Sequence, residues 1–138
     1  MKEALKQAKK ASKKGDVPVG AVIVYKNKII AKAYNKKENK QNSIAHAEIL
    51  VINKACKKLK TWHLEECELY TTLEPCLMCT GAIIQSRINK VYYSTENPNF
   101  GELKNNIKKY NKNIIIESQI LDNESTKLLK DFFKKIRK

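Results

Sequence analysis

A chain of 138 residues, 42% of them hydrophobic, fits one domain that buries a core without disulfides and leaves little room for a second. Its longest apolar run, Gly20-Ala21-Val22-Ile23-Val24-Tyr25, is far short of the roughly 20 residues a membrane-spanning helix needs. The opening Met1-Lys2-Glu3-Ala4 lacks the apolar stretch of a secretory signal, so a cytoplasmic protein is expected. The net charge of +14, from 28 basic and 14 acidic residues, suits a polyanionic partner. It also matches an A/T-rich coding sequence, since the arginines are only Arg87 and Arg137.

From about Lys2 to Lys14, Ala4, Leu5, Ala8 and Ala11 recur at helical spacing among lysines, and Gly15 with Asp16-Val17-Pro18 ends the helix. Gly20 to Tyr25 reads as a strand, Lys26-Asn27 as a tight turn and Lys28 to Tyr34 as the hairpin partner. The polar run Asn35 to Ser43 is a loop. Ser43 or a neighbour is expected to cap a helix from about Ala45 to Leu59, with Ile49, Ile52, Ala55 and Cys56 on one side. Glu68 to Thr72 is a short strand. Pro75 sits at a helix start, where its missing N–H costs nothing, and that helix runs to about Ser86. Val91 to Ser94 is a strand, Glu102 to Tyr110 a helix and Ile114 to Glu117 a β-branched strand. A last amphipathic helix starts at Glu124 and carries Leu128, Leu129, Phe132, Phe133 and Ile136. Helices between the later strands call for one sheet, largely parallel after the first hairpin, with helices on both faces. No repeat or linker interrupts residues 1–138, which read as a single domain.

Of the four cysteines, Cys56 and Cys67 stand alone and are expected to be small buried apolar side chains. Cys76 and Cys79 differ. Three apart at a helix start, they place both sulfurs on one face, where the helix N-terminus favours thiolates. His46, opening the preceding helix, supplies a third ligand. Three protein ligands leave one tetrahedral position for water, the mark of a catalytic zinc site. Glu48, two residues past His46, sits beside that water without occupying a coordination position and is placed to move its proton. Together, His46-Ala47-Glu48 and Pro75-Cys76-Leu77-Met78-Cys79 match the H-x-E…P-C-x-x-C signature of zinc nucleobase deaminases. His63, beside Trp62, has no such company and is expected to pack or cap.

Beyond that core, the chain resembles the bacterial tRNA-specific adenosine deaminases of the cytidine-deaminase superfamily. The resemblance is carried by Val17-Pro18-Val19-Gly20-Ala21-Val22, Tyr34-Asn35, Ile44-Ala45-His46-Ala47-Glu48, Thr72-Leu73-Glu74-Pro75-Cys76-Leu77-Met78-Cys79-Thr80-Gly81-Ala82, Ser86-Arg87-Ile88 and Asp131-Phe132-Phe133. It covers about residues 2–95 closely and 118–137 more loosely. It implies a three-layer α/β/α sandwich with a central five-stranded mixed sheet, one Zn2+ per subunit and a homodimer. The implied activity converts the wobble adenosine of a tRNA anticodon to inosine, the flipped adenine being attacked at C6 by zinc hydroxide. Glu48 would protonate N1 and then the departing ammonia. Asn35 matches the asparagine that bonds the base, and the Ala47 amide and Pro75 carbonyl would be backbone partners. Phe132, Phe133, Lys134, Lys135 and Arg137 fall where the last helix meets the anticodon loop, with at least one phenylalanine expected in the core. Segment 95–102 is shorter and less basic than the family pattern. Asn97 stands there in place of the usual aspartate, and is expected to contact flanking nucleotides and to relax discrimination among substrates. The competing readings are a deaminase of a free base or nucleoside (guanine, cytosine or cytidine) and a non-catalytic zinc-stabilised RNA-binding module, which would have no use for Glu48.

Overall fold

The computed structural model describes residues 1–136. Its elements, in chain order, are α1 (Lys2–Lys13), β1 (Gly20–Tyr25), β2 (Lys28–Tyr34), α2 (Ala47–Leu59), β3 (Cys67–Leu73), α3 (Leu77–Ser86), β4 (Lys90–Thr95), α4 (Leu103–Asn106), β5 (Ile115–Glu117) and α5 (Asp122–Ile136). The strands form one sheet in the order β2-β1-β3-β4-β5. β1 is antiparallel to β2 and β3, whereas β3, β4 and β5 are mutually parallel, so the sheet is mixed.

Helices α1 and α5 contact each other on one face, and α2 and α3 lie together on the other. Strand alternation makes both faces apolar. Ala21, Ile23, Leu69 and Val91 join Val51, Ala55 and Ile83 in the larger core. Val22 is buried too, but outside that core, as are Ala4, Leu5 and Ala8 of α1. A Cβ on Gly20 would overlap the backbone of Ala4 and Ala8, so only glycine lets α1 lie this close to β1. The hairpin turn uses Lys26 and Asn27 at φ 50° and 64°, the left-handed pair that matches strand twist.

Three expectations need correction. Ser43 does not cap α2: His46 is the N-cap and the helix begins at Ala47. Pro75 lies one residue before the N-cap of α3, because Cys76 takes that position and pairs with Gly101 in an isolated bridge. The expected helix from Glu102 to Tyr110 is a single turn of α-helix, Leu103–Asn106, followed by a 3-10 turn at Ile107–Lys109. The Asn-rich sequence here gives a helix little to propagate on. Among the described residues no helix is long and apolar enough to cross a membrane.

Candidate active site

Two helix starts converge where β3 and β4 end. His46 enters α2 with extended backbone (φ −73°, ψ 151°), and Cys76 enters α3 in the same manner (φ −72°, ψ 179°). Cys79, three residues further along α3, is fully buried. His46 Nδ1 lies 3.7 Å from Cys76 Sγ and 3.5 Å from Cys79 Sγ, and the three ligand atoms all fall within 4.8 Å of one another. A tetrahedral zinc ion with Zn–N of about 2.0–2.1 Å and Zn–S of about 2.3 Å has an N–S edge of about 3.5 Å. Donor set and spacing therefore fit that ion, with one coordination position left for a non-protein ligand.

The electrostatics agree with a cation site. Hydrogen bonds from the Cys79 thiol and the His46 ring pull Cys76 down to about 4, while Cys79 is pushed up by its neighbour's sulfur. Glu48, in the first turn of α2, is only 4% exposed, and burial pushes its carboxyl up to about 7.

These groups open onto a cavity of roughly 180 Å³. Val17, Val19 and Leu73 form its apolar wall, and Asn35, Lys37, Glu74 and Asn97 its polar wall, with His46, Ala47, Glu48 and Cys76 also lining it. A depression of about 460 Å³ lies at the opposite end of the strands, by Trp62, Arg87 and Tyr110, and contains none of the sulfur or imidazole groups.

Asn35 faces this cavity and also braces the loop after β2. Its Nδ2 donates to the Val17 carbonyl (3.2 Å) and its Oδ1 accepts from the Lys37 N–H (3.1 Å). Each end of the amide keeps one further hydrogen-bonding position. The Ala47 N–H is among the first of α2, where no intrahelical acceptor exists. Pro75 is buried outside the cavity lining, and its carbonyl accepts from the Glu102 N–H (3.0 Å). Asn97 lines the cavity, but its side chain is engaged locally, Oδ1 accepting from the Phe100 N–H (3.3 Å). Phe133 lies on α5 away from the cavity lining and is 38% exposed, whereas Phe132 is the buried member of the pair. Arg137 falls outside the described residues. Cys56 and Cys67 are free, Cys67 buried and Cys56 half-buried. His63 stacks on Trp62 and reaches Glu65 at 3.2 Å.

Sequence reasoning missed three groups. Asp16, read only as part of a helix stop, is fully buried and accepts from the Glu38 and Asn39 N–H groups, tying the loop that carries Lys37 to the end of α1. Glu74 accepts from the Asn97 N–H, and a Cβ on Gly101 would overlap its carboxylate. A carboxylate directly before the Pro-Cys pair was the available signal for it. Lys37 had none, standing in a lysine-rich background.

A mixed five-stranded sheet between two helical layers, with His/Cys/Cys and a buried glutamate in one cavity, defines an enzyme of the nucleobase-deaminase class. The pattern of the MafB19-like deaminase family matches residues 1–137, and the chain belongs to that family. It is 48% identical to the tRNA-specific adenosine deaminase of Bacillus subtilis (strain 168), an alignment covering 100% of this chain and 89% of that protein. A structure from a study of A-to-I editing by tRNA:A34 deaminases at the wobble position superposes with a TM-score of 0.86 at 34% identity, over 94% of this chain and 97% of the other. An X-ray structure of guanine deaminase from Bacillus subtilis is also similar, with a TM-score of 0.68 and 40% identity over 72% of this chain and 68% of that one.

Proposed function

We propose that this protein hydrolyses the wobble adenosine of a tRNA anticodon to inosine and ammonia, as one deaminase domain acting in the cytoplasm. The observation that carries the reading is the meeting of His46, Cys76 and Cys79 within 4.8 Å beside the buried Glu48, in a cavity that Asn35 also lines. Identity of 48% along the whole chain to a tRNA-specific adenosine deaminase favours RNA adenosine over guanine, since the guanine deaminase likenesses are weaker, at 40% over 72% of the chain or 24% over 94% of it.

His46, Cys76 and Cys79 would hold one Zn2+, which when bound makes water acidic enough to attack at neutral pH. Glu48 accepts one proton of the attacking water and passes it to N1 of the base. It then takes the remaining proton of that oxygen and delivers it to the amino group, which leaves as ammonia as the C6–N bond breaks and the C6 carbonyl forms. Asn35 uses the free positions of its amide to orient the base. The Ala47 N–H, unpaired at the start of α2, is a second donor toward it. The Pro75 carbonyl keeps one lone pair beyond its bond from Glu102. Asn97 shapes the wall next to nucleotides flanking the target, and Phe133 offers an exposed ring to the anticodon loop.

Flipping a base out of an anticodon loop leaves phosphates on both sides, which the surplus of lysine accommodates. A homodimer would cover the large apolar side chains exposed beside the cavity residues, Ile44, Leu77 and Phe100. The deciding experiment incubates the zinc-loaded protein with total tRNA and, separately, with guanine, cytidine and free adenosine. Inosine in tRNA digests by mass analysis is the expected result. Turnover of a free base or nucleoside alone would overturn the tRNA reading.

A further inference from the structure

Tyr34 closes β2 opposite Gly20, whose N–H donates to Thr72 Oγ1, and so lies at the end of the sheet where the cavity opens. Lysines gather around it. Lys36 Nζ stands 4.8 Å from the centre of its ring and Lys14 Nζ 5.6 Å. Lys54, from α2, donates to the Lys32 carbonyl at 2.7 Å on the same strand. A hydrogen bond from Lys14 pulls the Tyr34 phenol below its ordinary value, with Lys36 and Lys10 adding to the effect. Burial pulls the Lys54 ammonium down, and the charges of Lys36 and Lys10 push it further.

The ion pairs among the described residues are Lys6–Glu3 and Lys104–Glu96, and neither they nor the His63–Glu65 hydrogen bond reaches this cluster. Like charges held around one aromatic ring with no carboxylate in ion-pair range repel each other, and a polyanion laid across them relieves that repulsion. The next residue after Lys36 is Lys37, which lines the cavity, so the positive surface continues into the site.

We infer that Lys10, Lys14, Lys36 and Lys54 around Tyr34 form a phosphate-binding surface that holds the stem backbone of the same RNA whose base enters the cavity. This rests on the RNA reading above and extends it to an outer edge of the sheet. It commits to phosphodiester oxygens as the ligand, with Tyr34 as a rigid spacer between the ammonium groups.

The test measures binding of a fluorescent anticodon stem-loop between 50 and 200 mM salt. The wild type is compared with K10Q/K14Q/K54Q, all exposed positions, and with a charge-matched control, K108Q/K109Q/K112Q, at the far end of the strands. The patch variant is expected to bind at least tenfold more weakly at 50 mM salt. Its slope of log affinity against log salt should be shallower by about two to three, at about 0.9 for each duplex phosphate no longer neutralised. The control should stay within about threefold of wild type. Equal slopes for wild type and patch variant, an equal loss in the control, or no RNA binding by the wild type would each overturn the inference. Should the patch variant melt without a cooperative transition, the single K14Q change is read instead, with an expected slope change of about 0.9. Inosine formation in the same stem-loop is scored separately. Patch-dependent binding without inosine sinks the deamination reading alone; inosine without patch dependence sinks the surface alone.

Discussion

Replacing Asp16 by alanine removes a buried acceptor that ties α1 to the loop leading into the cavity. The carboxylate accepts from the Glu38 N–H at 2.7 Å, from the Asn39 N–H at 3.2 Å and from Asn39 Nδ2 at 2.5 Å, while the same Nδ2 reaches the Lys14 carbonyl at 2.8 Å. Hydrogen bonds to a charged acceptor contribute roughly 1.5–3 kcal/mol each. Glu38 and Asn39 are exposed, so their freed donors reach water and recover much of that sum. A net loss of about 3 kcal/mol is expected, equivalent to a Tm lower by about 10 °C in a domain of this size. An asparagine at this position keeps the shape but turns an NH2 toward donors on one side, so D16N should lose about 1–2 kcal/mol. Urea melts at matched zinc content measure both. Because Lys37 rides on this loop, KM for RNA should rise more than kcat falls. An alanine variant within about 0.5 kcal/mol of wild type, or an asparagine variant equal to it, would refute the claim that this carboxylate fastens the loop.

Glu48→Gln should leave the melt and zinc content unchanged while lowering kcat for inosine formation by about 10²–10⁴-fold, the range for losing a proton-transfer group; loss of zinc instead would make the residue structural. Chelation should lower the Tm, and added Zn2+ should restore it, since an ion held only by the folded chain stabilises by mass action; a Tm indifferent to chelator counts against His46, Cys76 and Cys79 as ligands. Asn97→Asp puts a third carboxylate beside Glu74, already raised by burial and by Glu96, and should cost about 1 kcal/mol in urea melts. The same variant should prefer RNA over DNA hairpins more strongly than wild type, and an unchanged ratio would remove Asn97 from substrate selection.

Much of the sheet is legible in the sequence because two periods of apolar residues do not overlap. Ala4, Leu5, Ala8 and Ala11 repeat as a helix face and are all buried, and the hairpin of β1 and β2 has the expected bounds. The candidate metal group is legible because spacing along a helix start fixes distance in space: the ligand atoms of Cys76, Cys79 and His46 lie within 4.8 Å of one another. What stays hidden depends on contacts between distant segments. Lys60 and Arg87 end α2 and α3 in the left-handed conformation usually given to glycine, with no local residue to announce it. Asp16 looks like punctuation after Gly15, since its partners lie more than 20 positions away in a loop with no period. Asn97 draws notice because the resemblance leads one to expect an aspartate there, yet its Oδ1 is committed to Phe100 three residues on.

The misplaced starts of α2 and α3 have a common physical origin. Serine, threonine, aspartate and asparagine are the residues that cap a helix, and that preference points to Ser43 for one helix. The chain instead places His46 and Cys76 at the two N-caps, and neither makes a side-chain capping hydrogen bond. Each helix therefore gives up roughly 1 kcal/mol of local stability at its first turn. In exchange, an extended residue at a helix start can aim its side chain out of the helix end, where the unpaired N–H groups and the dipole favour anionic sulfur. Cys79, three residues further along in the first turn of α3, reaches the same imidazole, its Sγ 3.5 Å from His46 Nδ1. The N-caps of α1 and α4, Met1 and Glu102, likewise make no side-chain capping bond, so what sets the starts of α2 and α3 apart is that the side chains of His46 and Cys76 meet there, with Cys79, within 4.8 Å.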